Sequence, residues 1–337
     1  CRWLKIQSRT GLAARLRAAL YATNRYVPVQ CVTTPLDPLP RTAMQPATPA
    51  PPETPRDAAT VVLLRDAPSG LEVLLQRRHA QMSNMAGMYV FPGGKLDDAD
   101  RQPASAALLD QPAAQLHTAL GESSTDAATA AGLHIAALRE ALEECGLLLA
   151  EPAQAGQPLD ALRARAMLRE GMPFAEMLAA MQLRLRTRHL APWSRWITPL
   201  APSVGTRRFD TRFFVALAPP DQTAQHDDEE TTDSLWLAPR AALEQYRDGR
   251  IDLAPPQIMS LAHLARHADA HGVLAAARSQ RPPVILPEAF DQDGVRTICY
   301  PGDPLHSIPE RALPGPTRLR MQARRFTPED GFEALFL

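Results

Sequence analysis

The stretch that decides the fold is Arg139-Glu140-Ala141-Leu142-Glu143-Glu144-Cys145-Gly146-Leu147. In a helix, Glu140, Glu143 and Glu144 fall at i, i+3 and i+4, so three carboxylates share one stripe of the surface. The opposite stripe is apolar and can be buried. Gly146 is typical of the C-terminal end of a helix. The stretch therefore predicts an amphipathic helix with one strongly acidic side.

Three like charges within one helical turn repel one another, at a cost of roughly a few tenths of a kcal/mol per pair. A hard divalent cation offsets this repulsion, because Mg²⁺ takes oxygen ligands and is commonly shared between carboxylates and substrate phosphates. A solvated acidic helix face explains the same residues without a ligand, since Glu favours helices. The helix alone leaves both interpretations open.

A second stretch, Val90-Phe91-Pro92-Gly93-Gly94-Lys95-Leu96-Asp97, indicates a strand end followed by a turn where the backbone can approach a ligand. Together the two stretches resemble the box of the Nudix hydrolase superfamily, G-x5-E-x7-R-E-U-x-E-E-x-G-U, in which U is aliphatic. Residues 139–147 match its second half. Gly94 matches its first glycine, and Asp100 stands where the family has Glu.

The chain departs from this box in its spacing, because Arg101 to Leu138 separate the two halves and insert about thirty residues. In this respect it is similar to the acyl-coenzyme A diphosphatases of the peroxisomal type and their bacterial relatives. The similarity extends from Ala58 to Leu243. It includes Trp196-Ile197-Thr198-Pro199, Arg208-Phe209-Asp210-Thr211-Arg212-Phe213-Phe214, and His226-Asp227 with Glu230, Asp233 and Trp236.

The residues before the Gly-Gly turn resemble a motif of coenzyme A-hydrolysing Nudix enzymes, L-L-T-x-R-S-x3-R-x3-G-x3-F-P-G-G, with the same spacing. The resemblance implies that Arg77, Arg78, Gly94 and Arg208 contact the substrate. Solvated charge at a strand end is the alternative for the first two arginines. The motif's Thr, Ser and second Arg are replaced, here by Gln76, His79 and Ser83.

The resemblance also implies hydrolysis of a diphosphate linkage with Mg²⁺ or Mn²⁺ as cofactor. Arg139 is implied to neutralise and orient the glutamates, and either Glu143 or Glu230 to act as general base. The implied metal ligands are Gly93, through its carbonyl, and Glu140, Glu143, Glu144 and Glu230. Glu230 is favoured over the neighbouring Glu229 by its spacing to Trp236.

The leading hypothesis is hydrolysis of coenzyme A or acyl-coenzyme A to 3′,5′-ADP and (acyl-)4′-phosphopantetheine. ADP-ribose or a dinucleotide is the nearest alternative substrate, because the motif's Ser and second Arg are absent. A non-catalytic Nudix regulator that binds a ligand belongs to another class, since a fold does not determine a function. The acidic cluster of Glu140, Glu143 and Glu144 argues against a regulator, because a protein without catalysis need not keep mutually repelling acids.

Length and composition exclude other classes. The chain has 337 residues and a formal net charge of -1, which argues against a general nucleic-acid or membrane-surface binder. No window approaches the roughly twenty apolar residues of a membrane span. The cysteines contain no C-x-x-C pair, so neither a zinc site nor a disulfide framework is indicated. We expect a cytoplasmic protein that acts on a small molecule, in an oligomeric state that the sequence leaves open.

The resemblance implies an α/β fold, a Nudix α/β/α sandwich with a mixed sheet, to which we expect helical insertions and an irregular C-terminal extension to be added. The leader is rich in Pro, Thr and Ala and is expected to be flexible, with an over-extended start before Met44. The expected ranges are 1–55 for the leader, 56–250 for the Nudix domain, about 101–124 and 151–189 for its insertions, and 251–337 for the extension.

The extension begins with an apolar pattern from Pro255 to Arg278 that predicts one amphipathic helix. His263, His267 and His271 lie on it at i, i+4 and i+8, a spacing that can bind a transition metal. No acid or cysteine accompanies them, so a polar helix face is favoured. The insertion at about 101–124 is also expected to form one helix, because leucines recur there at helical spacing.

Overall fold

The computed structural model describes residues 54–82, 84–154, 156–200, 207–227 and 230–337. These described residues belong to one compact unit. The predicted leader lies outside the described residues except for Thr54 and Pro55, and so does Ser83 of the coenzyme A motif.

Regular elements make up most of the described chain. The strands are β1 (Arg56–Ala67), β2 (Gly70–Arg78), β3 (Tyr89–Val90), β4 (Gly93–Lys95), β5 (Ala150–Pro152), β6 (Leu183–Leu185), β7 (Ala191–Ile197), β8 (Phe209–Leu217), β9 (Thr231–Leu237), β10 (Val284–Ile285), β11 (Glu288–Gln292), β12 (Val295–Cys299), β13 (Arg318–Gln322) and β14 (Arg325–Pro328). The helices are α1 (Pro103–Ala106), α2 (Ala113–Leu120), α3 (Ala127–Cys145), α4 (Ala161–Arg169), α5 (Phe174–Ala180), α6 (Pro239–Arg247), α7 (Pro255–Leu264) and α8 (Ala270–Ser279). Short 3₁₀ helices cover Asp98–Arg101, Thr187–His189 and Phe332–Phe336.

The main sheet mixes parallel and antiparallel pairs, which confirms the α/β prediction. Its strand order is β10-β7-β8-β1-β2-β3, while β4 also pairs with β1 and β9 with β2. Strands β1 and β8 run parallel, whereas β1 is antiparallel to both β2 and β4. Because β1 is 12 residues long, its first half pairs with β4 and its second half with β2. Helix α3 packs over this division, against β1 and β4.

Two apolar layers lie on opposite faces of the sheet, because side chains alternate along each strand. On β1, Val61 and Leu63 join the layer that contains α3, whereas Val62 and Leu64 join the layer that contains α7 and α8. Helices therefore cover both faces, as the predicted α/β/α sandwich requires.

Helix α3 carries the acidic stretch and has a defined residue at each end. At its start, the Asp126 carboxylate accepts a hydrogen bond from the Thr129 N–H at 2.7 Å. At its end, Gly146 has a φ of 68°, the left-handed conformation that glycine adopts at low cost. The predicted helix and its stop at Gly146 are both confirmed, although α3 begins twelve residues before Arg139.

The insertion at about 101–124 forms two short helices, α1 and α2, rather than the single helix predicted. Pro112, the residue before α2, interrupts the pattern because proline has no N–H to continue a helix. Leu116 and Leu120 of α2 are buried in the same layer as α3.

Buried ion pairs link this insertion to the main sheet. Arg212 Nη2 donates to Glu122 Oε2 at 2.7 Å, and Arg195 pairs with the same oxygen at 3.0 Å. Burial raises the pKa of Glu122, but the hydrogen bond and charge of Arg212 outweigh burial and leave this pKa below its usual value. Glu122 therefore depends on Arg212 for a favourable environment.

The C-terminal part differs from the prediction in its first helix. The single helix expected from Pro255 to Arg278 is divided into α7 and α8, because the Asp269 carboxylate caps a new helix by accepting from the Gly272 N–H. The rest of the extension was expected to be irregular with short strands, and its short strands pair in the antiparallel sheet β11-β12-β13-β14.

The three histidines do not form a metal site. The rings of His263 and His267 lie 4.4 and 5.8 Å from the ring of Trp193, while His271 belongs to the next helix and is largely exposed. Within the described ranges, no helix is long and apolar enough to cross a membrane.

We predict that Arg212→Met lowers the free energy of unfolding by about 3 kcal/mol, because removing one partner of a buried pair leaves the other without compensation. Urea denaturation of the full chain measures this change. Arg250→Met is the control, since Arg250 pairs with Asp248 on the surface and its side chain is 60% exposed. Equal effects of the two substitutions would contradict the structural role of Arg212.

Candidate active site

The Gly-Gly turn and the acidic helix are in contact, although they are far apart in sequence. The Gly93 N–H donates to Glu144 Oε2 at 3.1 Å. A Cβ at Gly94 would collide with the Glu140 carboxylate, so only glycine fits there without displacement. Strand β4 presents both glycines in this position because Gly93 pairs with Thr60 of β1.

Arg139 lies beneath the acids and joins three elements. Its Nη1 donates to Glu140 Oε1 and to Glu143 Oε2, each at 2.8 Å. Its Nη2 donates to the Lys95 carbonyl at 3.1 Å. Burial lowers the pKa of Arg139, but the charges of Glu140 and Asp100 and a hydrogen bond to Asp100 raise it above its usual value. The guanidinium therefore stays charged within the cluster.

Asp100 stands where the family has Glu, and it binds Arg139 with both oxygens. The distances are 3.2 Å from Nε and 3.1 Å from Nη2. Its Oδ2 also accepts from the Asp97 N–H at 3.0 Å. The shorter side chain keeps the contact because the 3₁₀ helix Asp98–Arg101 brings it close to α3, where it is 4% exposed.

Glu140 and Glu144 lie where their charged forms are disfavoured. Burial raises the pKa of Glu140 to about 7, against an opposing effect of Arg139. Burial and the charge of Glu140 raise the pKa of Glu144 well above its usual value. Glu144 is 3% exposed, and within the described chain its Oε1 has no hydrogen-bond partner. A cation at this oxygen would remove a desolvation cost of about 1–3 kcal/mol.

Glu140, Glu143 and Glu144 nevertheless do not have the geometry of a metal site in the described structure. Over the ranges described, no group of three or more Asp, Glu, His or Cys side chains has metal-binding geometry. Arg139 supplies the reason, since it holds one oxygen of Glu140 and one of Glu143. The donor set itself fits Mg²⁺ or Mn²⁺, which prefer carboxylate oxygens.

The two candidates for general base come from different elements. Glu143 on α3 has a side chain that is 37% exposed, and burial raises its pKa while Arg139 lowers it. Glu230 lies just before β9, and its side chain is 55% exposed. The charge of Glu230 raises the pKa of both Glu140 and Glu144, so it lies within electrostatic reach of the cluster.

Of the arginines predicted to contact substrate, Arg78 lies beside the cluster. Its Nη2 is 4.0 Å from Glu230 Oε2, and its Nε donates to the Asn84 carbonyl at 3.2 Å. Arg77 Nε donates to the Gly87 carbonyl at 3.3 Å. Both arginines therefore support the loop between β2 and β3.

Arg208 is not brought to the cluster. Its Nε donates to the carbonyls of Thr198 and Pro199, each at 3.1 Å, between β7 and β8. In the sheet, Gly93 pairs with Thr60, and Thr60 pairs with Phe213. Arg208 precedes Phe213 by five residues, which is about 16 Å along the strand.

Two residues that hold the C-terminal end of α3 were missed. Gln76 Nε2 donates to the Glu144 carbonyl at 2.9 Å, and its Oε1 accepts from Cys145 Sγ at 3.3 Å. Arg165 of α4 donates to the Glu143 carbonyl at 3.1 Å and places a cation at the negative end of the helix dipole. In the sequence, Gln76 stood out only because it replaces the Thr of the coenzyme A motif. Arg165 gave no signal, because its contact is with a distant element.

Comparison with known proteins gives consistent matches. The family model described as the NUDT19 Nudix domain matches residues 55–264. The acyl-coenzyme A diphosphatase NUDT19 of Xenopus laevis is 28% identical over 233 residues, which cover 59% of this chain and 61% of that protein. The human protein of the same name is 29% identical over 277 residues, which cover 70% of this chain and 72% of that protein. The chain thus spans less than two thirds of the Xenopus relative.

Among solved structures, a NUDIX hydrolase from Alicyclobacillus acidocaldarius superposes with a TM-score of 0.52 at 28% identity. The match covers 68% of this chain and 97% of that chain. It agrees with the sandwich described above, in which α3 packs over the division between β4 and β2.

We predict that Glu144→Gln stabilises the metal-free protein at high pH. Because burial raises the folded-state pKa of Glu140 to about 7 and that of Glu144 well above its usual value, the protonated forms favour folding, and stability falls as the pH rises above about 4.5. The substitution removes a group whose ionisation opposes folding, and Gln can still accept from the Gly93 N–H. We expect Tm to rise by a few degrees at pH 8 in EDTA, and the difference to shrink toward pH 5.

Glu310→Gln is the matched control, because Glu310 is exposed and far along the chain from the cluster. Its Tm should equal that of the wild type at both pH values. A Tm of Glu144→Gln that is unchanged or lower at pH 8 would show that the buried charge carries no cost.

Proposed function

The chain belongs to the NUDT19 Nudix domain family of hydrolases, and on this premise we propose that it hydrolyses coenzyme A or acyl-coenzyme A to 3′,5′-ADP and (acyl-)4′-phosphopantetheine. The observation that carries the proposal is the contact of the Gly-Gly turn with Glu140 and Glu144, which joins the two halves of the interrupted box. Relatives named acyl-coenzyme A diphosphatase support the substrate class.

The proposed cofactor is Mg²⁺ or Mn²⁺, held by Glu140, Glu143 and Glu144, with Glu230 and the Gly93 carbonyl as further ligands. The unpartnered Oε1 of Glu144 supports a cation at this position in the described site. When bound, such a cation supplies charge neutralisation at the diphosphate and activation of the attacking water.

Arg139 acts on the chemistry through the acids that it positions. Its five hydrogen bonds go to Asp100, Glu140, Glu143 and the Lys95 carbonyl. Its contacts with Glu140 and Glu143 fix their carboxylates on one side of α3. Because these contacts occupy the guanidinium, we assign it no direct contact with substrate.

Proton removal from the attacking water falls to Glu143 or Glu230. Both side chains are partly exposed, at 37% for Glu143 and 55% for Glu230. A carboxylate within hydrogen-bond reach of the water can accept its proton. Glu143 is held by Arg139, whereas Glu230 lies 4.0 Å from Arg78.

Arg77, Arg78 and Gly94 are proposed to receive the substrate's phosphates. Guanidinium groups bind phosphate oxygens in pairs, and Arg78 lies next to the acidic cluster where the scissile linkage would be. Gly94 leaves space because it has no side chain. Arg208 can contact only a distal group of an extended substrate, because about 16 Å of strand separate it from the level of Gly93.

We predict that the purified chain releases 3′,5′-ADP from coenzyme A or an acyl-coenzyme A with Mg²⁺ or Mn²⁺. Chromatography of the products from coenzyme A, acyl esters of several lengths, ADP-ribose and a dinucleotide measures this release. Glu143→Gln should lower kcat by about 100-fold or more if Glu143 is the base. A larger loss in Glu230→Gln would assign the base to Glu230, and Glu310→Gln should leave activity unchanged.

Two outcomes would contradict the substrate assignment. One is no release of 3′,5′-ADP at any chain length with either metal ion. The other is efficient hydrolysis of ADP-ribose or the dinucleotide alone, which would identify the alternative substrate class.

A further inference from the structure

Helix α4 belongs to the second insertion and packs against the end of α3 that carries the acids. Ala164 of α4 is fully buried in the apolar layer that contains α3. Helix α5 adds Phe174, Met177 and Leu178 to the same layer. The position of α4 relative to α3 is therefore fixed by the protein core.

Two arginines one turn apart on α4 donate to two different elements. Arg165 Nη2 donates to the carbonyls of Glu143 at 3.1 Å and Glu144 at 3.4 Å. Arg169 Nη2 donates to the Asp227 carbonyl at 3.2 Å. Because residues at i and i+4 lie on the same side of a helix, α4 bridges the end of α3 and the segment that precedes β9.

Asp227 in turn holds the main chain of Glu230. Its Oδ1 accepts from the Glu230 N–H at 3.0 Å and from the Thr231 N–H at 2.8 Å. The Glu230 carbonyl accepts from the His79 N–H at 2.8 Å. The hydrogen bond from Arg169 to Asp227 therefore reaches the residue that fixes the backbone of Glu230.

The last turn of α3 is held by other elements as well. The Glu144 carbonyl also accepts from Gln76 Nε2 at 2.9 Å, and the Cys145 carbonyl accepts from the Gln225 N–H at 2.9 Å. The last carbonyls of a helix have no partner within the helix, so they are available to such donors. These hydrogen bonds fix the direction in which the acids of α3 project.

We propose that α4 is a positioning element, in which Arg165 and Arg169 set the distance between the acids of α3 and Glu230 so that both can bind one divalent cation. The inference rests on the proposed function, in which these carboxylates share the cation. The hydrogen bonds of α4 described above end on main-chain carbonyls, so they position the backbone and leave the carboxylates available to a metal ion.

A divalent cation makes this separation important. Mg²⁺ binds its oxygen ligands at about 2.0–2.1 Å and tolerates little deviation from octahedral geometry. A change in the distance between α3 and Glu230 would therefore remove a ligand from the site. The second insertion thus acts on metal binding, although its residues lie outside the box.

The test measures the affinity of the full chain for Mn²⁺ without substrate, from the electron paramagnetic resonance signal of the free ion. We expect Arg165→Met to weaken Mn²⁺ binding about 10-fold or more, because loss of a residue that orients metal ligands costs about 10–100-fold. Arg165→Lys keeps one donor and should recover part of the affinity. Thermal melting in EDTA checks that the variants are folded.

Arg169→Met tests the second contact at an exposed residue, where a folding defect is not expected. It should weaken Mn²⁺ binding by about 10-fold or less. In a Glu230→Gln background it should cause no further loss, because it acts through Glu230, whereas Arg165→Met should still cause one. In EDTA, Arg169→Met should also speed hydrogen exchange at the amides of Glu230 and Thr231.

Arg163→Met is the matched control. Arg163 lies on the same helix and is exposed. This variant should bind Mn²⁺ as tightly as the wild type and should leave hydrogen exchange at Glu230 unchanged.

Three results would overturn the proposal: no binding of Mn²⁺ by the wild type, unchanged affinity in folded Arg165→Met and Arg169→Met, or an equal loss from Arg169→Met with and without Glu230. Hydrolysis is measured separately. A chain that shows the expected losses but cleaves no coenzyme A ester would reject only the proposed substrate. One that cleaves it with unchanged affinity in both variants would reject only the positioning role of α4.

Discussion

The site depends on one buried cation, the guanidinium of Arg139. Three carboxylates within a turn of α3 repel one another, and two of them are buried against β4. Arg139 offsets this repulsion by bonding to Glu140 and Glu143, and it joins α3 to the turn through the Lys95 carbonyl. Without that charge, the acidic side of the helix would have no favourable way to pack beside the two glycines.

The two halves of the interrupted box are in contact in the folded chain. Between its halves, the chain forms a 3₁₀ helix, two short helices and the first turns of α3, and Asp100 still reaches Arg139. The insertion is held to the sheet by the buried pair of Glu122 and Arg212. An insertion of this kind is tolerated because it lengthens α3 at its N-terminal end and leaves the acidic C-terminal end in register with the turn.

In the acidic cluster, the protonation state that favours folding differs from the one that binds a cation. Burial raises the pKa of Glu140 and Glu144, so their ionised forms weaken the fold, while those same forms are what a divalent cation requires. Gln76 and Arg165 bind the carbonyls at the end of α3 and hold the helix in place despite this cost. Functional sites commonly lower the stability of the free protein in this way, and ligand binding then stabilises the folded state.

The sequence by itself determined the acidic stripe of α3, its end at Gly146 and the Gly-Gly turn, because periodicity and glycine conformation are local properties. The tertiary structure decided what those residues contact. It turned Glu140 and Glu143 toward Arg139, anchored the helix with Gln76 and Arg165, and placed Arg208 away from the cluster. It also paired the short strands of the C-terminal segment in one sheet. Each of these depends on contacts between residues distant along the chain, whose partners no local pattern specifies.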